Sequence, residues 1–533
     1  MKKYNLIFSI ILLFALSFSS CETWIDDTET EPLITTEGFF GTVTDLERIL
    51  NGSYATLLGF EGEGLASAPF LINALNGDLV APFPPNEGSI SPQIMMLYQR
   101  QNAMLGEESP GWNMIKHASR AINNANMVID ALENGSLEND PDFLYNQERM
   151  RGEAYLMRAL ANFEITKLVA KQYNIETSSS DLAGYYPKEP VYDKSDYPTE
   201  RVSVEVAYQR MIEDANQAID LLPERWDLAY TTWGESFVYQ SIYYWNCRRF
   251  NADVGRALLA KLYFQMNDFT NARAACDALL GATPGESARY PLSDMRDLSK
   301  NVLGLKTQDP YGPYIPAVDT IGDDRDIPPS QELICDFFGS SEGYGPNVDR
   351  NAWGYYFTPT EEMEQGRSKL GEQGLGWFVM SEDFVDYLDW DYADSRFFFF
   401  VDEIEDEDYN YWYWPVKFAL KGLNVLWYRS AEFFLIRAEC NARLGNSEDA
   451  KLDLDYVRNR ADLDNYDDDP FVFDNLVDEI IRERARELYL ENNRYWDLIR
   501  LGALNGGNLP AGQRESGVPW DSPDLLFPMP ELY

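Results

Sequence analysis

The chain has 533 residues and a formal net charge of −44, from 88 acidic and 44 basic side chains. A surface this acidic repels phosphate backbones and excludes nucleic acid as a partner, while an apolar content of 45% excludes wholesale disorder. With a single histidine, His117, no two-histidine zinc motif is possible, and any Ser-His-Asp arrangement would have to use that one side chain.

Residues 1–20 read as a lipoprotein signal peptide. Lys2 and Lys3 form a positive n-region, Leu6 to Phe18 is an apolar stretch too short to span a bilayer, and Phe18-Ser19-Ser20 lead into Cys21. A cysteine after small residues at that place is what lipid attachment needs, so Cys21 is the expected lipidation site and the acyl chains the expected hold on a membrane. Residues 21–43, acidic and Thr-rich over Glu22 to Pro32, read as a lipidated tether, and residues 44–533 as the folded body.

That body is mainly helical by period. Leu46, Ile49, Leu50 and Leu57 share a face over Thr44 to Leu58; Ile115, Ala118, Ile122, Ala125 and Ile129 do so over Trp112 to Leu132. Ala154, Met157, Leu160, Ala161, Ile165 and Leu168 continue the pattern over Gln147 to Ala170. Val202 to Leu222 stops at Pro223, and Asn251 or Asp253 can cap a helix over Val254 to Met266. Gly255 to Leu280 and Ala431 to Val457 each resemble a tetratricopeptide helix hairpin. Small residues (Ala257 and Ala260; Ala438 and Ala442) precede a polar turn and a second helix with Ala272 or Ala450. They lie far apart in sequence, so a continuous array is not expected. Cys276 and Cys440 fall inside helical patterns as small apolar residues, and nothing demands a disulfide. Residues 60–100 and 285–380, rich in Gly, Pro, Asn and aromatics, read as long irregular insertions, the kind of loop that carries function.

Four segments resemble one known family. Arg151-Gly-Glu-Ala-Tyr-Leu-Met-Arg-Ala-Leu onward to Leu168, Val204 to Pro223, Glu479 to Gly502, and Leu525-Leu-Phe-Pro-Met-Pro-Glu-Leu are similar to signatures of the SusD/RagB family, with Asn492 departing where a glycine is usual. The resemblance implies a mainly α fold: a tetratricopeptide-like helical scaffold with a loop-rich irregular subdomain. It implies a non-enzymatic outer-membrane lipoprotein facing outward, which captures oligosaccharides for uptake with a TonB-dependent, SusC-like transporter. No cofactor is expected. Glu483, Arg484, Glu487, Arg494, Trp496, Asp497 and Arg500 look catalytic in isolation, but their spacing suits helix-surface ion pairs, and in this family the segment is scaffold. Val477, Ile480, Ile481, Ala485 and Leu488 would be the buried face of that helix.

The resemblance places ligand contacts in the loops. Flat aromatic rings suit the apolar faces of sugars, and amides and carboxylates suit the hydroxyl rim. The candidate ligand residues are Asn76, Asp78 and Tyr98 in the first insertion, and Tyr311, Tyr314, Tyr344, Trp353, Tyr355 and Trp377 in the second. Two other classes stay open: a helical adaptor or peptide-binding lipoprotein with no glycan site, and a glycan hydrolase using two of the many carboxylates. The acidic runs Asp402 to Asp408 and Asp462 to Asp469 lack the spacing and central glycine of a calcium loop.

Overall fold

The computed structural model describes residues 42–58, 64, 67–107, 109–133, 137, 143–193, 196–224, 249–295, 331–337, 375–390, 393–405, 410–415, 417 and 425–529. Cys21, the signal segment and most of the second insertion lie outside the described residues. Among the described residues no helix is long and apolar enough to cross a membrane.

Helix α1 (Val43–Leu58) buries Val43, Leu46, Leu50 and Leu57. The segment expected to be irregular up to residue 100 instead folds into α2 (Ala68–Asn76), a short strand β1 (Val80–Pro82), a 3-10 turn at Pro84–Ser89 and α3 (Pro92–Tyr98). The prolines there start structure rather than prevent it. Pro69 and Pro92 sit in the first turn, where the missing N–H costs nothing, and Ser91 caps α3 by accepting from Ile94 N.

Four of the next five helices follow the expected periods: α4 (Pro110–Glu133), α5 (Phe143–Val169), α6 (Val204–Leu221) and α7 (Ala252–Gln265). Helix α8 (Phe269–Leu280) completes the first hairpin. Asn251 caps α7 through Asp253 N and Val254 N, and Asp268 caps α8 through Asn271 N. Close approach relies on missing side chains: a Cβ on Gly255 would lie 2.6 Å from Ile219.

Short strands interrupt the helices: β2 (Leu333–Phe337), β3 (Phe378–Met380), then α9 (Glu382–Leu388), α10 (Ser395–Phe400), β4 (Val401–Glu405), β5 (Tyr411–Pro415) and β6 (Val425–Arg429). They form three antiparallel pairs, β1–β3, β2–β6 and β4–β5. The second hairpin, α11 (Ser430–Arg443) and α12 (Ser447–Arg460), turns on Gly445 at φ +84. The signature segment is two helices, α13 (Leu476–Glu487) and α14 (Arg494–Asn505), not one.

Packing runs α1–α4–α5–α6–α7–α8–α11–α12–α13, each helix against the next. The two tetratricopeptide-like hairpins, apart in sequence, therefore meet through α8 and α11, and the helical array is continuous in space although it is not in sequence. Cys276 and Cys440, on those two helices, are free and fully buried.

Candidate functional site

The structure brings Asn76, Asp78 and Tyr98 together, but in the interior. Asn76 is fully buried and its side-chain oxygen accepts from Asn102 Nδ2 at 2.9 Å. Asp78 accepts from Arg494 Nε at 2.8 Å and Nη2 at 2.7 Å. Burial pushes the Asp78 carboxyl up, yet Arg494 more than offsets this and holds it below the usual range. Tyr98 is buried with its ring 5.9 Å from Phe378 and beneath the Arg514 guanidinium at 4.3 Å. These three side chains are therefore structural in this arrangement and present no surface to a sugar. Composition marked the segment as a loop, but the polar residues face inward off the end of α2.

Trp377 occupies a different place. Its carbonyl accepts from Phe83 N at 2.8 Å, extending the β1–β3 ladder by one residue pair. Phe83 in turn packs edge-on against Trp412 at 5.1 Å and Trp414 at 5.0 Å. Strand β5 alternates, so Trp412 and Trp414 share one face while Tyr411 and Tyr413 share the other. Burial grades along the strand: Trp414 is 1% exposed, Trp412 and Tyr413 are half-buried, and Tyr411 is 52% exposed. Phe83, Trp412 and Trp414 therefore form one ring cluster with Trp414 as its buried member, beside the half-buried Trp377, while Tyr411 and Tyr413 lie on the opposite face of β5. The sequence analysis missed β5; the signal was the strict alternation Tyr411-Trp412-Tyr413-Trp414. Tyr311, Tyr314, Tyr344, Trp353 and Tyr355 lie outside the described residues.

Two small, shallow clefts flank Trp496 on the helical face and share Lys167, Gln265 and Trp496. Their charges are already matched: Lys167 with Glu164 at 2.7 Å, Lys261 with Glu432 at 2.5 Å, and Arg484 with Asp497 at 3.1 Å. The aromatic cluster is the stronger candidate for sugar recognition, because it offers the half-buried rings of Trp377 and Trp412 rather than spent ion pairs.

The signature charges do not lie on a helix surface as their spacing suggested. Glu479, Glu483 and Glu487 form the inner face of α13 and are fully buried, while Val477 and Ile481 are only half-buried. Arg396 bridges Glu483 at 2.5 Å and Glu487 at 3.0 Å, Arg429 bridges Glu332 at 2.7 Å and Glu487 at 2.5 Å, and Arg460 also pairs with Glu487. Burial alone raises the Glu487 carboxyl, but Arg460, Arg429 and Arg396 together hold it well below its usual range. Lys417, paired with Glu491, is pushed down to about 8 by burial. Each of these acids is matched by cations. The segment is scaffold, as expected, but its ion pairs lie in the core.

Residues 404–524 match the family profile described as the SusD family, and residues 89–243 match that described as starch-binding, associating with outer membrane. The chain belongs to the SusD/RagB family. A SusD-like protein, P2, of Formosa agariphila is 24% identical, with 99% of this chain and 97% of that protein covered. A SusD superfamily protein from Bacteroides vulgatus superposes with a TM-score of 0.69 at 20% identity, covering 92% of this chain and 96% of that one. Surface glycan-binding protein A from Bacteroides uniformis gives a TM-score of 0.63 at 18% identity, covering 91% and 96%. These similarities agree with the helical, tetratricopeptide-like SusD fold described above. SusD proteins are carbohydrate-binding proteins and not enzymes, and the family is associated with the outer membrane.

Proposed function

We propose that this SusD-family protein is a surface nutrient-binding lipoprotein, anchored through Cys21 to the outer membrane and facing outward. It captures oligosaccharides and delivers them to a TonB-dependent, SusC-like transporter. The observation that carries the ligand class is the ring cluster of Phe83, Trp412 and Trp414 with Trp377 paired beside Phe83, graded from buried Trp414 to half-buried Trp412 and Trp377. Rings held by packing present flat apolar faces with little entropy left to lose, which suits the C–H faces of pyranoses. Surface glycan-binding protein A, which shares this fold, is named for glycans. Tyr311, Tyr314, Tyr344, Trp353 and Tyr355 are proposed to complete the site with Trp377.

The test is titration calorimetry of the chain from Glu22 onward against a glycan panel, with product analysis of the same mixtures. Saturable binding without products, weakened by Trp412→Ala and by Trp353→Ala, supports the proposal. Product release that one carboxylate substitution abolishes would overturn it. Binding of peptides but of no glycan would move the assignment to the adaptor or peptide-binding alternative.

A further inference from the structure

The interior where Asn76, Asp78 and Tyr98 meet carries a charge imbalance found at no other buried arginine among the described residues. Arg149, Arg158, Arg396, Arg429, Arg437, Arg458, Arg482, Arg484, Arg486, Arg494 and Arg500 each have a carboxylate partner. Arg100, 1% exposed, has none. Its Nε donates to the Asn76 carbonyl at 2.7 Å and its Nη2 to the Gly77 carbonyl at 3.1 Å, while Nη1 meets no acceptor. Arg514 also donates only to carbonyls, those of Tyr98, Ala511 and Leu75. The nearby buried carboxylate, Asp78, is taken by Arg494 at both oxygens.

The two cations feel each other. Burial, and then the charge of Arg100, push the Arg514 guanidinium down to about 10, and both cations lie within electrostatic reach of Tyr98 and Tyr495. Glu87 and Asp383 also act on Tyr98 but are exposed, where solvent screens them. The same cluster holds buried donors with no protein acceptor: Asn73 Nδ2, Asn76 Nδ2, Tyr98 OH and Ser381 Oγ. Four parts of the chain close on the spot. A Cβ on Gly512, at φ +57, would lie 3.4 Å from Arg514 Nη1 and 3.8 Å from both Asp78 Cα and Ser381 Oγ. Arg100 itself takes a left-handed backbone at φ 60, a conformation that turns its side chain inward at some cost. Neutral dipoles can satisfy the amides and hydroxyls. Asp78 acts on both cations but is itself paired with Arg494, so their repulsion is only partly cancelled, and a negative ion would offset the rest.

We propose that this cluster is a binding site for a small monovalent inorganic anion of halide size, held by Arg100 Nη1 and the side-chain amides of Asn73 and Asn76 beneath Arg514. Its enclosure by buried side chains excludes a sugar, so the site is separate from glycan capture. By joining α2, the turn after α3, the start of α9 and the loop around Arg514, the ion fastens the C-terminal segment to the first insertion.

The experiment uses the chain from Glu22 onward in sodium bromide or sodium gluconate at equal ionic strength. Melting is followed in both salts, and crystals grown in bromide are measured for anomalous scattering. The expected results are a melting temperature higher in bromide, by on the order of 1–2 °C, and a bromide peak within hydrogen-bonding distance of the Arg100 guanidinium. Arg100→Met also removes the hydrogen bonds to the Asn76 and Gly77 carbonyls, so Asn76→Asp is the decisive variant. It places a carboxylate at the same spot and keeps the acceptor used by Asn102. It is expected to melt higher than wild type in gluconate and to lose the bromide response. Equal melting of wild type in the two salts with no anomalous peak, or an unchanged bromide response in Asn76→Asp, would overturn the proposal.

Discussion

Arg494, in the first turn of α14, holds Asp78 through two hydrogen bonds of 2.8 and 2.7 Å across 416 positions of sequence. The neighbouring Tyr495 N donates to Asn73 Oδ1 at 2.8 Å, so the start of α14 is docked on the end of α2 by backbone as well as side chain. The pair ties the first insertion to the signature segment, and the fold closes there. Replacing Arg494 by Met leaves a buried carboxylate without its cation and is expected to cost about 3–5 kcal/mol of stability. Adding Asp78→Asn to that variant should recover part of the loss. Urea unfolding of the single and double variants measures both, and additive losses would mean the two residues are not coupled.

Glu487 gives a prediction about acid. Its folded value lies below the usual glutamate value of 4.5, because three arginines outweigh burial. A depressed carboxylate contributes stability in full above the unfolded value and loses it as pH falls through the folded value. Glu487→Gln should therefore cost about 3–5 kcal/mol at neutral pH, with the gap to wild type shrinking steadily as pH falls below 4.5. Asp253 and Asp453, whose carboxyls burial raises, act in the opposite sense in both proteins and cancel in the comparison. Chemical denaturation at pH 7 and at successively lower pH is the measurement.

The ring patch separates binding from stability by burial. Trp412→Ala is expected to weaken glycan binding by roughly tenfold, about 1.4 kcal/mol, with a smaller effect on melting. Trp414→Ala, at 1% exposure, removes the anchor and should cost about 3–5 kcal/mol of stability. Calorimetry and thermal melting of the two variants should rank them in opposite order.

Gly111 lets the C-terminal segment lie against α4. A Cβ there would lie 2.3 Å from the Phe527 ring, and Phe527 N donates to the Leu168 carbonyl at 2.9 Å. Gly111→Ala should destabilise by about 1–3 kcal/mol and expose the segment around Phe527 to limited proteolysis before the helical array is cut.

Much of the helical scaffold was written in the residues as period. The apolar spacing in α1, α4 and α5, the stop at Pro223 and the Asn251 cap are local features, and local features survive without knowledge of what packs against them. The family signatures are likewise linear strings. Spacing could not say which way the charged face of α13 points. Glutamates at i, i+4 and i+8 make a surface ladder or a buried one equally well, and only Arg396, Arg429 and Arg460, brought from other elements, make the buried choice affordable. The same holds for Asn76, Asp78 and Tyr98. Their residue types suited a binding loop, but Arg494 and Arg514 arrive from more than 400 positions away and turn that segment inward. The alternation in β5 was legible, but that its Trp face meets Phe83 beside the β1–β3 pair was not, because contact between distant strands leaves no mark on any one of them. What the sequence determined by itself was the long periodic helices and the stop and cap at Pro223 and Asn251, since those depend on near neighbours. Which side chains were buried and paired only the tertiary structure decided, since that depends on partners far along the chain.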